Sequence, residues 1–160
     1  MSDEKGGGIR EYDDYTTEEL LEQARANAQA ALIATVGFLQ ELEIPIDSWT
    51  QSIGVRFARG WQTDEGWDDA GEFLDSMLTN LRAIGANVVE ADLGDAEATA
   101  MIEGFPDPDL CALFEVDQAL VAKFHDASGA VAGDIGLVWS WILESDGKTR
   151  LKVERPTNSA

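Results

Sequence analysis

Asp117 is the residue whose setting calls most clearly for a chemical explanation. It lies in PDPDLCALFEVDQALVAKFHDAS, residues 106–128, which opens with helix-start signals. Asp107 is suited to the N-cap and Pro108 to the first helical position, and Asp109 places negative charge in the first turn. Leu110, Leu113, Leu120 and Phe124 follow at spacings of 3, 7 and 4, the stripe of a core-facing helix. Asp117 interrupts that stripe, and a carboxylate on a buried face is costly unless something bonds it. Three readings follow. Asp117 accepts hydrogen bonds from another helix, or lines a ligand cavity where it can act as acid or base, or faces solvent because the helix is turned from this register.

Cys111 and His125 share another face of the same helix. Fourteen residues of straight helix would hold them ~21 Å apart at 1.5 Å per residue. The chain has a single Cys and a single His. Unless the helix breaks, a Cys–His nucleophile pair and a zinc site built on them are both excluded. No metal and no cofactor is expected.

A second constellation lies in the last hairpin. With Asp146-Gly147 as a two-residue loop, Ser145 opposes Lys148, Leu143 opposes Arg150 and Trp141 opposes Lys152. Val138, Ser140 and Ile142 then share a core face with Leu151 and Val153. Trp139, Trp141 and Leu143 stand on the other face beside Arg150, Lys152 and Glu154. This is an aromatic and cationic wall for an anionic or planar ligand. The alternatives are cationic stems covering exposed rings or a homodimer contact. Arg56 and Arg59 sit three apart and could clamp a carboxylate or pair with surface acids. Gly129, Gly133 and Gly136 do not make a dinucleotide fingerprint, because the G-x-G spacing is missing and a strand is expected to follow. They suit a turn or a close backbone passage.

The elements that must position these residues read as follows. Residues 1–15 form an acidic, glycine-rich tail expected to be disordered, and 16–156 form one domain. Thr16 and Glu19 make a capping box for a helix running to about Glu43, ended by Ile44-Pro45. Its core-facing candidates are Leu21, Ala24, Ala28, Ala31, Leu32, Thr35, Val36, Leu39 and Leu42. Six alanines between 24 and 34 allow close approach of another helix. A second helix begins at Asp47 or Ser48, with Ser48 and Gln51 as a capping box and Trp49, Ile53 and Phe57 on its apolar face. After a turn at 63–66, a third runs from Trp67 to Ile84, with Gly85 as its stop. Strands at 87–93 and 97–105 flank Gly94-Asp95. The Asp117 helix comes next, then a glycine-punctuated link, then the final hairpin. The class is α+β: three N-terminal helices, then β-β-α-β-β in a four-stranded, mainly antiparallel sheet.

Composition bounds the partners. The chain has 160 residues and 44% hydrophobic content, enough for one domain burying roughly 70% of its unfolded surface. Thirty-one acids against 11 bases give a net charge of −20, so nucleic acid and anionic membrane surfaces are poor partners. Only Lys5, Lys123, Lys148 and Lys152 are lysines. Dispersed acid with little Lys suggests adaptation to high salt, where screening removes self-repulsion. No apolar run is long enough to span a bilayer, and the N-terminus is polar rather than leader-like. A cytoplasmic location is expected.

From Asn87 onward the β-β-α-β-β order, preceded by helices, resembles the 4-vinyl reductase-like small-molecule-binding fold. It is also similar to L-2-amino-thiazoline-4-carboxylate hydrolase-like proteins, in which a Cys and an Asp on the helix after the first hairpin correspond to Cys111 and Asp117. The further cysteines that those families often carry near the last strands are replaced here by Trp and Val. The resemblance implies a pocket between helices and sheet for a small, largely apolar molecule, with Cys111 beside it. Combined with the residue patterns, it gives a binding or sensory domain whose pocket draws on Trp49, Phe57, Trp61, Asp117, Trp139 and Trp141, with Arg56 or Arg150 as anchors. The alternatives are a hydrolase or lyase on a small amide-like or cyclic substrate using Asp117, and an interaction module dimerising through the Trp139/Trp141 hairpin.

Overall fold

A computed structural model describes residues 15–61 and 67–157. The acidic tail, apart from Tyr15, and the turn at 63–66 lie outside the described residues. The chain runs α1 (Thr17–Glu41), α2 (Ile46–Trp61), α3 (Ala70–Ala83), β1 (Asn87–Leu93), β2 (Glu97–Glu103), α4 (Pro108–Leu113), α5 (Gln118–Ala122), α6 (His125–Asp134), β3 (Val138–Leu143) and β4 (Thr149–Glu154). The sheet order is β1-β2-β4-β3 with every neighbour antiparallel, so the α+β class and the order of elements are as expected. Among the described residues, no helix is long and apolar enough to cross a membrane.

Local chemistry explains the helix ends. Thr16 and Glu19 form the reciprocal capping box. Asp69 caps α3 by accepting from the Glu72 amide, so that helix begins later than Trp67. α2 starts at Ile46 directly after Pro45, which leaves Ser48 inside the first turn and the expected Ser48/Gln51 box unformed. The C-termini of α1, α3, α4 and α6 close alike, with a 6→1 bond paired with a shorter one, the Schellman arrangement. Gly85 and Gly136 take the left-handed position after α3 and α6, but Glu43 and Glu115 take it after α1 and α4, at φ 56 and 57.

The Glu115 cap breaks the single helix expected over 106–128. Val116 donates to the Cys111 carbonyl at 3.0 Å, the chain turns, and Asp117 restarts it as N-cap of α5 by accepting from the Ala119 amide at 3.0 Å. Asp117 is therefore exposed and bonded to its own backbone, not set on a buried stripe. Leu113 is 73% exposed for the same reason. The expected link at 128–136 is instead mostly helix, with Gly129 and Gly133 inside α6.

The final hairpin is slipped by one residue from the expected register. Its loop has three residues, closed by Glu144 N to Lys148 O at 2.8 Å and Gly147 N to Glu144 O at 3.0 Å, with Gly147 at φ 85. This is the turn-plus-bulge form rather than the two-residue one. Leu143 pairs with Thr149, Trp141 with Leu151 and Trp139 with Val153. Because side chains alternate with period two, one step exchanges the faces. Trp139, Trp141 and Leu143 turn toward the helices, and Val138, Ser140 and Ile142 share the outer face with Arg150, Lys152 and Glu154. The aromatic and cationic wall does not form. The cations instead pair with acids, Arg150 with Glu144 at 3.3 Å and Lys152 with Glu97 at 3.5 Å and Glu154 at 3.1 Å.

The main core lies between the inner sheet face and α3 and α6, where Phe73, Leu74, Ile102, Leu151 and Val153 are sealed. α2 packs on α6 through Thr50, Gly54 and Ala58. A Cβ at Gly54 would lie 2.6 Å from that of Ala130, so this contact uses small residues and leaves Phe57 half-exposed. A second cluster joins Ile33 and Val36 of α1 to Ile46, Cys111, Val116 and Val121. α1 is rolled from its expected orientation. It buries Gln29, Ile33 and Val36, whereas Leu21, Ala24, Ala28, Ala31, Thr35 and Leu42 are exposed. Gln29 explains the roll. Its amide nitrogen donates to the carbonyls of Ile84 (3.1 Å) and Gly104 (3.0 Å), and its oxygen accepts from the Asp107 amide at 2.6 Å. Gln118 works similarly, donating to Pro106 O at 2.9 Å and Gly147 O at 3.2 Å.

Candidate functional site

A groove of about 560 Å³ lies between α2, α3 and α6, within the range usual for small-molecule sites. One wall is Arg56, Phe57, Gly60 and Trp61 of α2. The opposite wall is Met77, Asn80, Leu81 and Ile84 at the end of α3, and Phe124, Ala127, Ser128 and Val131 form the base. The 3-4 spacing that makes α3 a core helix also brings Met77, Leu81 and Ile84 to this edge. The small residues Gly54 and Ala58 draw α2 onto α6, so Phe57 and Trp61 stand at the rim rather than in the core.

The polar groups are few. Arg56 Nη1 donates to the Ser52 carbonyl one turn earlier at 2.9 Å, which holds its planar fork beside the opening. Ser128 Oγ donates to Met77 Sδ at 3.3 Å. Two runs of aromatic rings leave the groove for the interior. Phe124 lies 6.5 Å from Phe57, 6.1 Å from Trp49 and 5.9 Å from Phe105. Phe105 continues to His125 at 5.5 Å, and His125 to Trp141 at 5.6 Å. Trp61 leads to Phe73 at 5.2 Å, and Phe73 to Trp139 at 6.4 Å.

Of the residues singled out from sequence, Arg56, Phe57 and Trp61 meet in this groove, with Trp49 one ring behind them. Trp139 and Trp141 lie deeper on the inner face of the sheet; Trp141 Nε1 donates to Asp126 Oδ1 at 2.7 Å. Arg150 is on the opposite face, bonded to Glu144. Cys111 lies in the cluster that α1 covers and Asp117 is exposed; neither lines the groove. Burial first, and then the carboxylates of Asp107 and Asp117, push the Cys111 thiol up to about 11. It is thus a protonated, buried thiol rather than a nucleophile. His125 is sealed between rings, and neither of its nitrogens has a hydrogen-bond partner among the described residues. Burial lowers its pKa to about 3.

Asn80, Phe124 and Ser128 were missed as site residues. Phe124 reads as core in a helical stripe, and no local pattern distinguishes Asn80 or Ser128 from ordinary helix surface. Among the described residues, no cluster of three or more His, Cys, Asp or Glu side chains is placed to hold a metal ion. Comparison with protein-family models, with curated proteins and with solved structures finds no match for the chain.

Proposed function

We propose that this chain is a binding or sensory domain for a small, largely apolar organic molecule, seated in the groove between α2, α3 and α6. The observation that carries the reading is the groove's composition. Its walls of Phe57, Trp61, Leu81, Ile84, Phe124 and Val131 offer apolar contact over about 560 Å³, and Arg56 stands at the opening. Apolar walls supply affinity through area removed from water, and a guanidinium fork selects a planar anion such as a carboxylate or sulfonate. A ligand with an apolar body and one anionic end satisfies both. The dispersed acid of the chain favours such a small partner over a phosphate backbone.

Anilinonaphthalene sulfonate, an apolar and anionic fluorophore, tests the proposal directly. It should bind the native chain with single-site saturation and an emission shift. Filling the base with Ser128→Phe should abolish this, and Arg56→Gln should weaken it about tenfold, as expected for loss of one charge-assisted contact. Saturable binding that is untouched by both substitutions would place the probe elsewhere and overturn the reading, as would no binding to the native chain.

A further inference from the structure

We propose that the exposed face of α1 is a homodimer seam, in which α1 of a second copy packs antiparallel about a two-fold axis. The face consists of Leu21, Ala24, Ala28, Ala31, Thr35, Phe38 and Leu42, which follow spacings of 3, 4, 3, 4, 3 and 4 without a miss. This is a heptad seam carried through three repeats, the pattern that supercoils one helix on another. It has the character of a core stripe, but none of the described residues covers it. Gln29 turns α1 so that Ile33 and Val36 face inward, and all seven seam positions remain exposed.

Three observations select a second copy in antiparallel orientation. First, the seam carries no charge although 26% of the chain's residues are charged; an acidic chain leaves this strip neutral over three heptads. Second, side-chain volumes complement one another only when the helix is reversed. Leu21 then meets Leu42 of the second copy, Ala24 receives Phe38, Ala28 meets Thr35, and Ala31 meets its own equivalent at the axis. A parallel pair would set Phe38 against Phe38 and leave the alanines facing one another across a gap. Third, the area suffices. Leu21, Phe38 and Leu42 are each about half exposed, as is Leu20 flanking the seam, and with Thr35 and the alanines they offer roughly 550 Å² per copy, about 1,100 Å² in all, which passes the ~1,000 Å² expected of a specific interface. Acids at both ends of the helix, Glu18 and Glu19 against Glu41 and Glu43, approach one another in this pairing. Association should therefore tighten as salt screens them.

Sedimentation velocity of the full chain in molar KCl should give twice the 17.4 kDa monomer mass, with weaker association at low salt. Ala31→Glu, at an exposed helical position, should keep the circular dichroism and melting profile of the native chain while weakening dimerisation at least about tenfold, because it sets two charges against each other at a buried axis. Orientation is read by disulfide trapping, in which buried Cys111 does not interfere. Ala31→Cys alone should cross-link to itself. Leu21→Cys and Leu42→Cys should each fail alone, since ~31 Å of helix separates these positions, but should cross-link when mixed. A monomer at every salt concentration overturns the proposal. So does a dimer indifferent to Ala31→Glu, or self-linking by Leu21→Cys.

Discussion

His125 makes the folded state sensitive to acid in a way that can be calculated. Its imidazole is fully buried between Phe105 and Trp141, and burial lowers its pKa to about 3. In the unfolded chain the same group titrates near 6.5. Between these values the unfolded chain binds a proton that the folded chain refuses. The contribution is therefore fully present above about pH 6.5 and is lost progressively as the pH falls toward 3. At about pH 5 the interval spans roughly 1.5 units, and at ~1.36 kcal/mol per unit the loss is about 2 kcal/mol. His125→Phe removes the titration and keeps a ring in the same slot, with no unpaired nitrogens. Urea unfolding at about pH 7.5 and pH 5 gives both free energies for both chains. Carboxylate contributions cancel in the difference, so the native chain should lose about 2 kcal/mol more than the variant. Equal losses, within about 0.5 kcal/mol, would refute the argument that the imidazole is buried and neutral.

Two further outcomes follow from the helix ends and the polar clamp. Gln29→Met keeps the side-chain volume but leaves the Ile84 and Gly104 carbonyls and the Asp107 amide without their partner, at about 1 kcal/mol each. Stability should fall by roughly 3 kcal/mol, seen as a melting temperature about 6–12 °C lower. Glu115→Gly relieves a left-handed residue at φ 57 and should raise stability by roughly 0.5–1 kcal/mol after the entropy of glycine is set against the strain. A decrease in chemical denaturation would show that the Glu115 side chain itself holds the cap.

The first three helices and both hairpins were legible because capping residues, heptad-like spacing and the Gly94-Asp95 and Asp146-Gly147 turns are local signals. The misplacements share one physical origin, which is that long-range contacts chose among local options of similar cost. Asp117 reads from sequence as a carboxylate interrupting a buried stripe, whereas the structure makes it the N-cap of α5, a role that suits Asp. The leucines on either side suggested a continuous stripe, and only the Schellman turn at Glu115 breaks it. Asp146-Gly147 marks a hairpin whether its loop has two residues or three, and that one-residue ambiguity moved two tryptophans through the sheet. The roll of α1 was not legible at all, because the partners of Gln29 lie 55, 75 and 78 residues away. Arg56, Phe57 and Trp61 were found as site candidates because they flank an apolar helix face. Which face would be sealed depended on the small Gly54 and Ala58, whose effect appears only once α6 is in place.

The division of the interior into two clusters has a consequence for how the molecule opens. α1 seals only Gln29, Ile33 and Val36 and partly buries Leu32 and Leu39, so its detachment is a smaller event than loss of the sheet core, a sub-global opening below the full unfolding free energy. The one cysteine of the chain sits in the cluster that α1 covers, 1% exposed. Its thiol is thus an intrinsic reporter. The rate at which Cys111 reacts with a disulfide reagent counts the excursions of a single helix while the sheet stays folded, and whatever fastens α1, from within the chain or from a second copy, slows that clock.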